Sequence, residues 1–267
     1  MVMKESVVRS ARRRAREEVT REIVEAARRQ LATAGAPGLS LRAVARELGM
    51  VSSAVYRYVP SRDDLLTLLI IDGYDALGVA AEDAERQVDR ADLTGRWLSV
   101  CHAVRDWALE HPHEYALLYG SPVPGYVAPQ DTVPAATRVT ALMSAILEGA
   151  ASADPDRPDW ARVPGAAVSA ALMPTRPFVP ERVPDELLIR GLMAWTYLFG
   201  AVSFELFGHR QHVIDDDLGL RRAFFNEEVT RIGALSGMVA GVGAGQGLPL
   251  GEASDENPTH VRVDGVG

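Results

Sequence analysis

Residues 40–66 read SLRAVARELGMVSSAVYRYVPSRDDLL and contain two short helical patterns on either side of a glycine. In the first pattern, apolar residues recur at the spacing of one helix face. These residues are Leu41, Val44, Ala45 and Leu48. Ser40 is a suitable N-cap that can accept a backbone hydrogen bond, and Gly49 can adopt the left-handed conformation that ends a helix. The second pattern begins near Ser52 and ends before Pro60. Two short helices around a tight turn are typical of a helix-turn-helix reader of DNA.

The second helix is so short that packing of its apolar side must stabilise it. The side chains available for this packing are Ala54, Val55 and Val59. Its other face carries hydroxyl and guanidinium groups, which reach base edges and phosphates in DNA readers. These groups belong to Ser52, Ser53, Tyr56 and Arg57. Beyond the proline, Ser61 and Asp64 form a capping-box pattern that predicts a long helix from Arg62 to about Gln87.

A further helix is predicted before these two, from about Arg16 to Thr33, with an apolar residue at every fourth position. Together with it, the segment from about Thr20 to Leu69 resembles the DNA-binding domain of the tetracycline-repressor (TetR) family. The positions that carry the resemblance are Gly49, Tyr56, Arg62, Leu65 and Leu66, with residues 41–48 upstream. The likeness covers about a fifth of the chain.

The resemblance implies an all-α homodimer, with an N-terminal three-helix helix-turn-helix domain and a larger helical C-terminal domain for effector binding and dimerisation. By position, Tyr56, Tyr58 and Arg62 would contact phosphates. The full set expected to bind DNA is Ser40, Leu41, Arg42, Ser52, Ser53, Ala54, Tyr56, Arg57, Tyr58 and Arg62. Ala54 stands where a polar residue is common in the family, which shifts the expected readout towards thymine methyl groups or DNA shape.

The charge is distributed unevenly along the chain. The net charge is −8, yet residues 1–62 hold 13 basic and 6 acidic residues, a net +7, and the remainder is −15. This asymmetry indicates a basic N-terminal region that binds nucleic acid, followed by an acidic remainder of the chain. The densest basic run contains Arg9, Arg12, Arg13, Arg14 and Arg16. Two interpretations stay open for it: an arm that follows phosphates or enters a minor groove, or a solvated disordered tail.

Length and composition limit the other classes of protein. The chain has 267 residues and no run of 18 apolar residues, so we expect no membrane span. The charged N-terminus lacks the apolar core of a secretory signal, and a single cysteine, Cys101, excludes an internal disulfide. We therefore expect a cytoplasmic protein. Its predicted parts are a disordered arm, the DNA-binding domain, the effector-binding and dimerisation domain and a disordered tail, at residues 1–15, 16–62, 63–241 and 242–267.

Two helices near the C-terminus carry an apolar seam that predicts a four-helix dimer interface. The first spans residues 185–208 and the second about 217–240. The residues assigned to the interface are Leu188, Leu192, Phe199, Val202, Leu206, Phe225, Val229 and Ile232. The alternative is that this seam packs only within its own subunit.

The C-terminal half also resembles the WHG type of regulator domain, in residues 107–115 and 194–200. Phe199 stands where that type has a histidine, which suggests a more apolar pocket. The bulky residues expected to bind the effector are Trp97, Trp107, Tyr115, Tyr119, Met143, Met173, Phe178 and Trp195. Any helical core needs such residues, so a role in packing is the alternative for each.

No motif in the sequence predicts catalysis. His102, His111 and His113 do not share a helical face at metal-ligand spacing, and the chain has no nucleophile elbow, phosphate loop or dinucleotide fingerprint. We therefore expect no metal, no cofactor and no enzyme activity. The predicted function is a repressor that a small apolar effector releases from a palindromic operator in double-stranded DNA. The alternatives are an architectural DNA-binding protein without effector and a helical metal-dependent enzyme.

Overall fold

The computed structural model describes residues 2–154 and 160–239, and every regular element in these ranges is helical. The α-helices are α1 (Val2–Ala34), α2 (Leu41–Glu47), α3 (Ser52–Val55), α4 (Arg62–Arg86), α5 (Leu93–Glu110), α6 (Pro112–Tyr119), α7 (Val133–Ala136), α8 (Arg138–Ala153), α9 (Ala166–Leu172), α10 (Asp185–Leu206) and α11 (Leu218–Leu235). The predicted all-α fold is confirmed.

The buried side chains form two cores, and α4 contributes to both. The N-terminal core joins α1, α2, α3 and the start of α4, where Leu65 and Leu66 are fully buried. The larger core surrounds α5, α8, α10 and α11 and includes Leu77 and Ala81 from the far end of α4. One continuous helix therefore connects the two parts of the molecule.

Helix α1 starts earlier than the sequence predicts. Its backbone is helical from Val2, whereas the sequence pattern predicts a disordered arm at residues 1–15. The reason is local: residues 2–34 contain no glycine or proline and are rich in arginine, glutamate and alanine, which favour helix. Arg13 and Glu17 also form an i,i+4 ion pair at 3.5 Å. The predicted tail at residues 242–267 lies outside the described residues.

The helical segment from Val133 to Ala153 is divided at Thr137, between α7 and α8. The Thr137 hydroxyl donates to the carbonyl oxygens of Val133 and Pro134, at 3.0 and 3.2 Å. Such bonds from a threonine to the preceding turn bend helices. The break places Arg138 at the first position of α8.

Helix α10 is long and apolar enough to cross a bilayer by length and composition alone. In this fold it is a core helix, since Leu187, Leu198 and Val202 are buried against neighbouring helices. Arg105 on α5 donates two hydrogen bonds to Glu205 on α10, at 2.8 and 2.5 Å, and both side chains are buried. This ion pair fixes the last turn of α10.

Candidate nucleic-acid interface and C-terminal cavity

The turn between α2 and α3 depends on Gly49. Its φ is +65°, in the left-handed region that favours glycine. A Cβ added there would meet nothing within 4 Å, so the requirement is conformational rather than steric. The Met50 N–H donates to the Ala45 carbonyl oxygen at 2.8 Å and closes the end of α2. The predicted helix-turn-helix is therefore formed.

Helix α3 is anchored on one side and open on the other. Val55 and Val59 are fully buried in the N-terminal core. Ser53, Tyr56 and Arg57 lie on the exposed side, and Tyr56 is 42% exposed. The helix itself ends at Val55, and residues 56–58 continue it as a turn. The two hydroxyls and the guanidinium are thus free to meet a duplex.

Two of the predicted DNA-binding residues have other roles in this structure. The side chain of Leu41 is only 4% exposed and packs in the N-terminal core, so it cannot lie against a phosphate. The Arg62 guanidinium is half-buried and donates to the Ala36 carbonyl oxygen at 2.7 Å, which ties the α1–α2 connection to α4. Both side chains thus help to hold the domain together. The side chain of Leu41 is not available to DNA, whereas contact of Arg62 with a phosphate stays a prediction.

The remaining predicted residues surround the exposed face. Arg42 is exposed, and Ser52, Ala54 and Tyr58 are half-buried. The hydroxyl of Ser40 makes no capping bond, contrary to expectation, and its N–H instead donates to Gln30 Oε1 at 3.3 Å. The second predicted cap is present, since the Asp64 N–H donates to Ser61 Oγ at 3.1 Å.

The basic part of α1 begins beside the end of the recognition helix. The Arg16 guanidinium lies 5.4 Å from the centre of the Tyr58 ring and donates to the Arg57 carbonyl oxygen at 3.4 Å. Arg12 and Arg13 are exposed and precede Arg16 by four and three residues, on the same side of the helix. The basic side chains of α1 thus extend the positively charged surface beyond the end of α3.

A cavity of about 480 Å³ lies between α8, α10 and the segment that follows α9. Its lining residues are Thr137, Thr140, Ala141, Met143, Ser144, Leu147, Pro174, Thr175, Phe178, Val179, Leu188, Gly191, Leu192 and Trp195. Three of the eight predicted effector-binding residues are among them: Met143, Phe178 and Trp195. The small and hydroxyl residues of the lining were missed, because no sequence signal separates a cavity wall from an ordinary helix surface.

The other five predicted effector residues lie elsewhere. Trp97 is fully buried and donates to the Val229 carbonyl oxygen at 2.7 Å. Tyr115 is also fully buried; its hydroxyl donates to the Phe199 carbonyl oxygen at 3.0 Å, and burial raises its pKa to about 12. Trp107 stacks on His111, and Tyr119 stacks on Phe199. Met173 is 64% exposed and does not line the cavity. For the four aromatic residues, these contacts support the packing alternative.

The predicted dimer seam faces the interior of its own protomer. Six of its residues are buried there, because α10 and α11 pack against α5 and α8: Leu188, Phe199, Val202, Phe225, Val229 and Ile232. Leu192 and Leu206 are half-buried against the same core. The structure therefore supports the alternative, in which this seam packs within its own subunit. The outward face of α10 carries Met193, Tyr197 and Phe204, of which the first and last are 55% and 56% exposed.

The start of α8 is attached to α4 next to the cavity. Arg138 donates from Nη1 to Asp75 Oδ1 at 2.9 Å, and its side chain also reaches Glu82. The side chain crosses α4 directly over Gly78, where an added Cβ would come within 2.7 Å of Arg138 Nε. Only a residue without a side chain allows this close passage. Arg138 thus connects the cavity wall to the helix that begins in the DNA-binding domain.

The structure gives no support to a metal site. Among the described residues, no group of three or more His, Cys, Asp and Glu side chains could hold an ion. His102 Nε2 instead lies 2.9 Å from Asn226 Oδ1. Cys101 is buried, and burial raises the pKa of its thiol well above the usual value, which disfavours the reactive thiolate.

Two family models match the chain. Residues 23–69 match "Bacterial regulatory proteins, tetR family", and residues 97–231 match "Tetracyclin repressor-like, C-terminal domain". The second match contains both C-terminal segments that resemble the WHG type of domain.

Curated relatives and solved structures agree with these models. The HTH-type transcriptional regulators Rv1816 of Mycobacterium tuberculosis and Mb1846 of Mycobacterium bovis are each 45% identical over 199 residues, 74% of this chain and 84% of theirs. The crystal structure of the putative regulatory protein SCO4313 is 34% identical, with a TM-score of 0.65, and the match covers 82% of this chain and 97% of that one. A Rhodococcus sp. RHA1 protein of unknown function has the same fold, with 23% identity, a TM-score of 0.57 and coverage of 81% and 92%.

Proposed function

The chain belongs to the tetracycline-repressor family of helix-turn-helix transcriptional regulators, and we propose that it is a cytoplasmic repressor released from a palindromic operator by a small molecule. The exposed group formed by Ser53, Tyr56 and Arg57 supports this most directly. These side chains point away from a helix whose Val55 and Val59 are locked in the core. In this arrangement α3 enters a major groove and its side chains reach base edges and phosphates.

The basic side of α1 extends the contact with DNA. Arg16 touches the end of the recognition segment, and Arg12 and Arg13 continue the positive charge along the helix. A helix rises about 1.5 Å per residue, so these side chains reach phosphates beyond those next to α3. Contacts of this kind add affinity without sequence preference and weaken with salt.

The regulator is a homodimer, and its two-fold symmetry is matched by a palindromic operator. We assign the dimer contact to the outward face of α10, formed by Met193, Tyr197 and Phe204, in place of the buried seam. Exposed apolar residues in one row are typical of a protein contact, and a two-fold axis brings the same row from both copies together. Two recognition helices then lie about one turn of DNA apart, roughly 34–36 Å.

The effector binds in the cavity between α8 and α10. Occupancy shifts α8, Arg138 transmits this shift to α4, and α4 carries it to the DNA-binding domain. For release, the ligand must bind the DNA-free arrangement better than the DNA-bound one. A typical coupling of about 1–3 kcal/mol corresponds to a change of about 5–150-fold in operator affinity.

Selection of bound sequences from random duplex DNA by the full-length protein tests this function. The expected result is enrichment of an inverted repeat whose half-sites are about one helical turn apart. Loss of enrichment with Arg57→Ala would connect the result to α3. No enriched sequence, or enrichment of bent DNA without a repeated motif, would contradict the proposal, and the second outcome would favour an architectural role.

A further inference from the structure

We propose that the cavity between α8 and α10 takes an uncharged, mainly apolar ligand that carries at least one hydrogen-bond acceptor. This inference deepens the proposed function, since it gives the chemical class of the effector. It depends on which side chains form the cavity walls and on which polar groups near them already have hydrogen-bond or ion-pair partners.

Among the residues that the structure describes, no ionisable side chain lines the cavity. A charged ligand would therefore lose its hydration without gaining an opposite charge, which is strongly unfavourable. The arginines nearest in sequence are occupied elsewhere: Arg138 pairs with Asp75 and Glu82, and Arg176 pairs with Asp185. Arg176 also donates to the Val183 carbonyl oxygen at 2.8 Å. Carboxylates, phosphates and ammonium groups are thus poor ligands for this site.

The walls nevertheless present free neutral donors. The hydroxyls of Thr137 and Thr140 are used within the helix backbone, the latter at 2.8 Å from the Thr137 carbonyl oxygen. Within the described part of the chain, no hydrogen bond engages the hydroxyls of Ser144 and Thr175 or the indole N–H of Trp195. These three groups lie on three different walls: α8, the segment after α9, and α10. A carbonyl, ether or hydroxyl oxygen on the ligand can accept from them.

The remaining walls of the cavity are apolar. Met143, Leu147, Leu188 and Leu192 supply aliphatic surface from α8 and α10. Gly191 allows these helices to approach, because an added Cβ there would overlap Leu147 Cδ1. The volume of about 480 Å³ falls within the range of about 300–1,000 Å³ found for small-molecule sites. Shape and polarity therefore agree on a compact neutral ligand.

Two naphthalene dyes test this class in the full-length protein. Prodan is an uncharged ketone whose fluorescence responds to hydrogen bonding, and 8-anilinonaphthalene-1-sulfonate is anionic. We expect saturable Prodan binding with blue-shifted emission and at least tenfold weaker binding of the sulfonate. The double variant Ser144→Ala with Thr175→Val should weaken Prodan binding about three- to tenfold, as expected when hydrogen bonds to the ligand are removed.

A matched pair of variants locates the dye. Ala141→Trp places a bulky ring in the cavity from an exposed position of α8 and should abolish Prodan binding. Ala145→Trp, one turn further along the same helix, is also exposed but outside the lining and should leave binding unchanged. Equal affinity for the sulfonate, no saturable Prodan binding, or wild-type Prodan binding by Ala141→Trp would overturn the inference. Operator binding measured on the same samples reports separately on the proposed function.

Discussion

The guanidinium of Arg138 holds the carboxylate of Glu82 by two hydrogen bonds, 2.8 Å from Nε and 2.6 Å from Nη2. The two residues belong to different helices, α8 beside the cavity and α4 beside the DNA-binding domain. These hydrogen bonds lower the pKa of the Glu82 carboxyl below its usual value, so the pair stays ionised near neutral pH. A bidentate pair fixes both the distance and the angle between its helices.

Arg138→Gln should uncouple ligand binding from DNA binding. The variant keeps the cavity and the exposed face of α3 but loses the bidentate attachment to α4. For a ligand that weakens operator binding by the wild type, the ratio of operator dissociation constants with and without ligand should fall towards one. Fluorescence anisotropy with labelled operator measures this ratio. Arg86→Gln removes an exposed arginine of α4 and is the control; an undiminished ratio in Arg138→Gln would exclude the coupling role.

The basic side of α1 should determine part of the salt dependence. Arg12→Gln combined with Arg13→Gln should reduce the slope of log affinity against log salt concentration by about 0.9 for each phosphate that the protein no longer neutralises. Arg86→Gln with Arg231→Gln removes the same charge from exposed sites elsewhere and should leave the slope unchanged. If both double variants give the same slope, the extension of α1 does not touch the duplex.

The outward face of α10 should control the oligomeric state. Met193→Glu combined with Phe204→Glu places two carboxylates where the dimer contact is assigned, and light scattering with size-exclusion chromatography should then report a monomer. Operator affinity should fall at least tenfold, because each half-site is bound separately. Val127→Glu changes an exposed loop residue and should remain a dimer. A dimeric double variant would move the interface elsewhere.

The buried pair of Arg105 and Glu205 should matter for stability rather than for DNA contact. Glu205→Leu removes the bidentate partner of the buried guanidinium and leaves it only Asp106, 3.5 Å from Arg105 Nη1. Loss of one partner of a buried pair typically costs about 3–5 kcal/mol of unfolding free energy. Urea denaturation measures this change. Glu227→Gln breaks an exposed pair with Arg231 and should cost less than about 1 kcal/mol. Similar values for the two variants would mean that Arg105 finds another partner.

The DNA-binding domain could be predicted from the sequence because its signals are local. Gly49 indicates the turn because glycine favours the left-handed backbone conformation found there. Val55 and Val59 indicate the buried side of α3, since so short a helix can bury only one side. The exposure of Tyr56 and Arg57 follows from the same spacing. The burial of Leu41 and the hydrogen bond of Arg62 to the Ala36 carbonyl oxygen could not be predicted, since resemblance by position does not show whether a side chain points inward or is already hydrogen-bonded.

The C-terminal site could not be predicted in the same way. The spacing of Leu188, Phe199 and Val202 identifies a buried face, but periodicity does not tell which helix covers it. Bulky residues such as Trp97 and Tyr115 fill the core, whereas the cavity depends on small residues where helices approach closely, among them Gly191. Those close approaches join parts of the chain that are far apart in sequence.

Operator affinity of Tyr56→Ala, measured by anisotropy at physiological salt on the selected sequence, tests the assignment of the α3 face as the DNA reader. Because Tyr56 is 42% exposed, the thermal midpoint should remain near that of the wild type. Removal of the tyrosine side chain from the duplex should weaken binding roughly 5–150-fold, equivalent to about 1–3 kcal/mol. Leu109→Ala, an exposed change on α5, should bind as the wild type does. Unchanged affinity of Tyr56→Ala would contradict the assignment of this face to DNA.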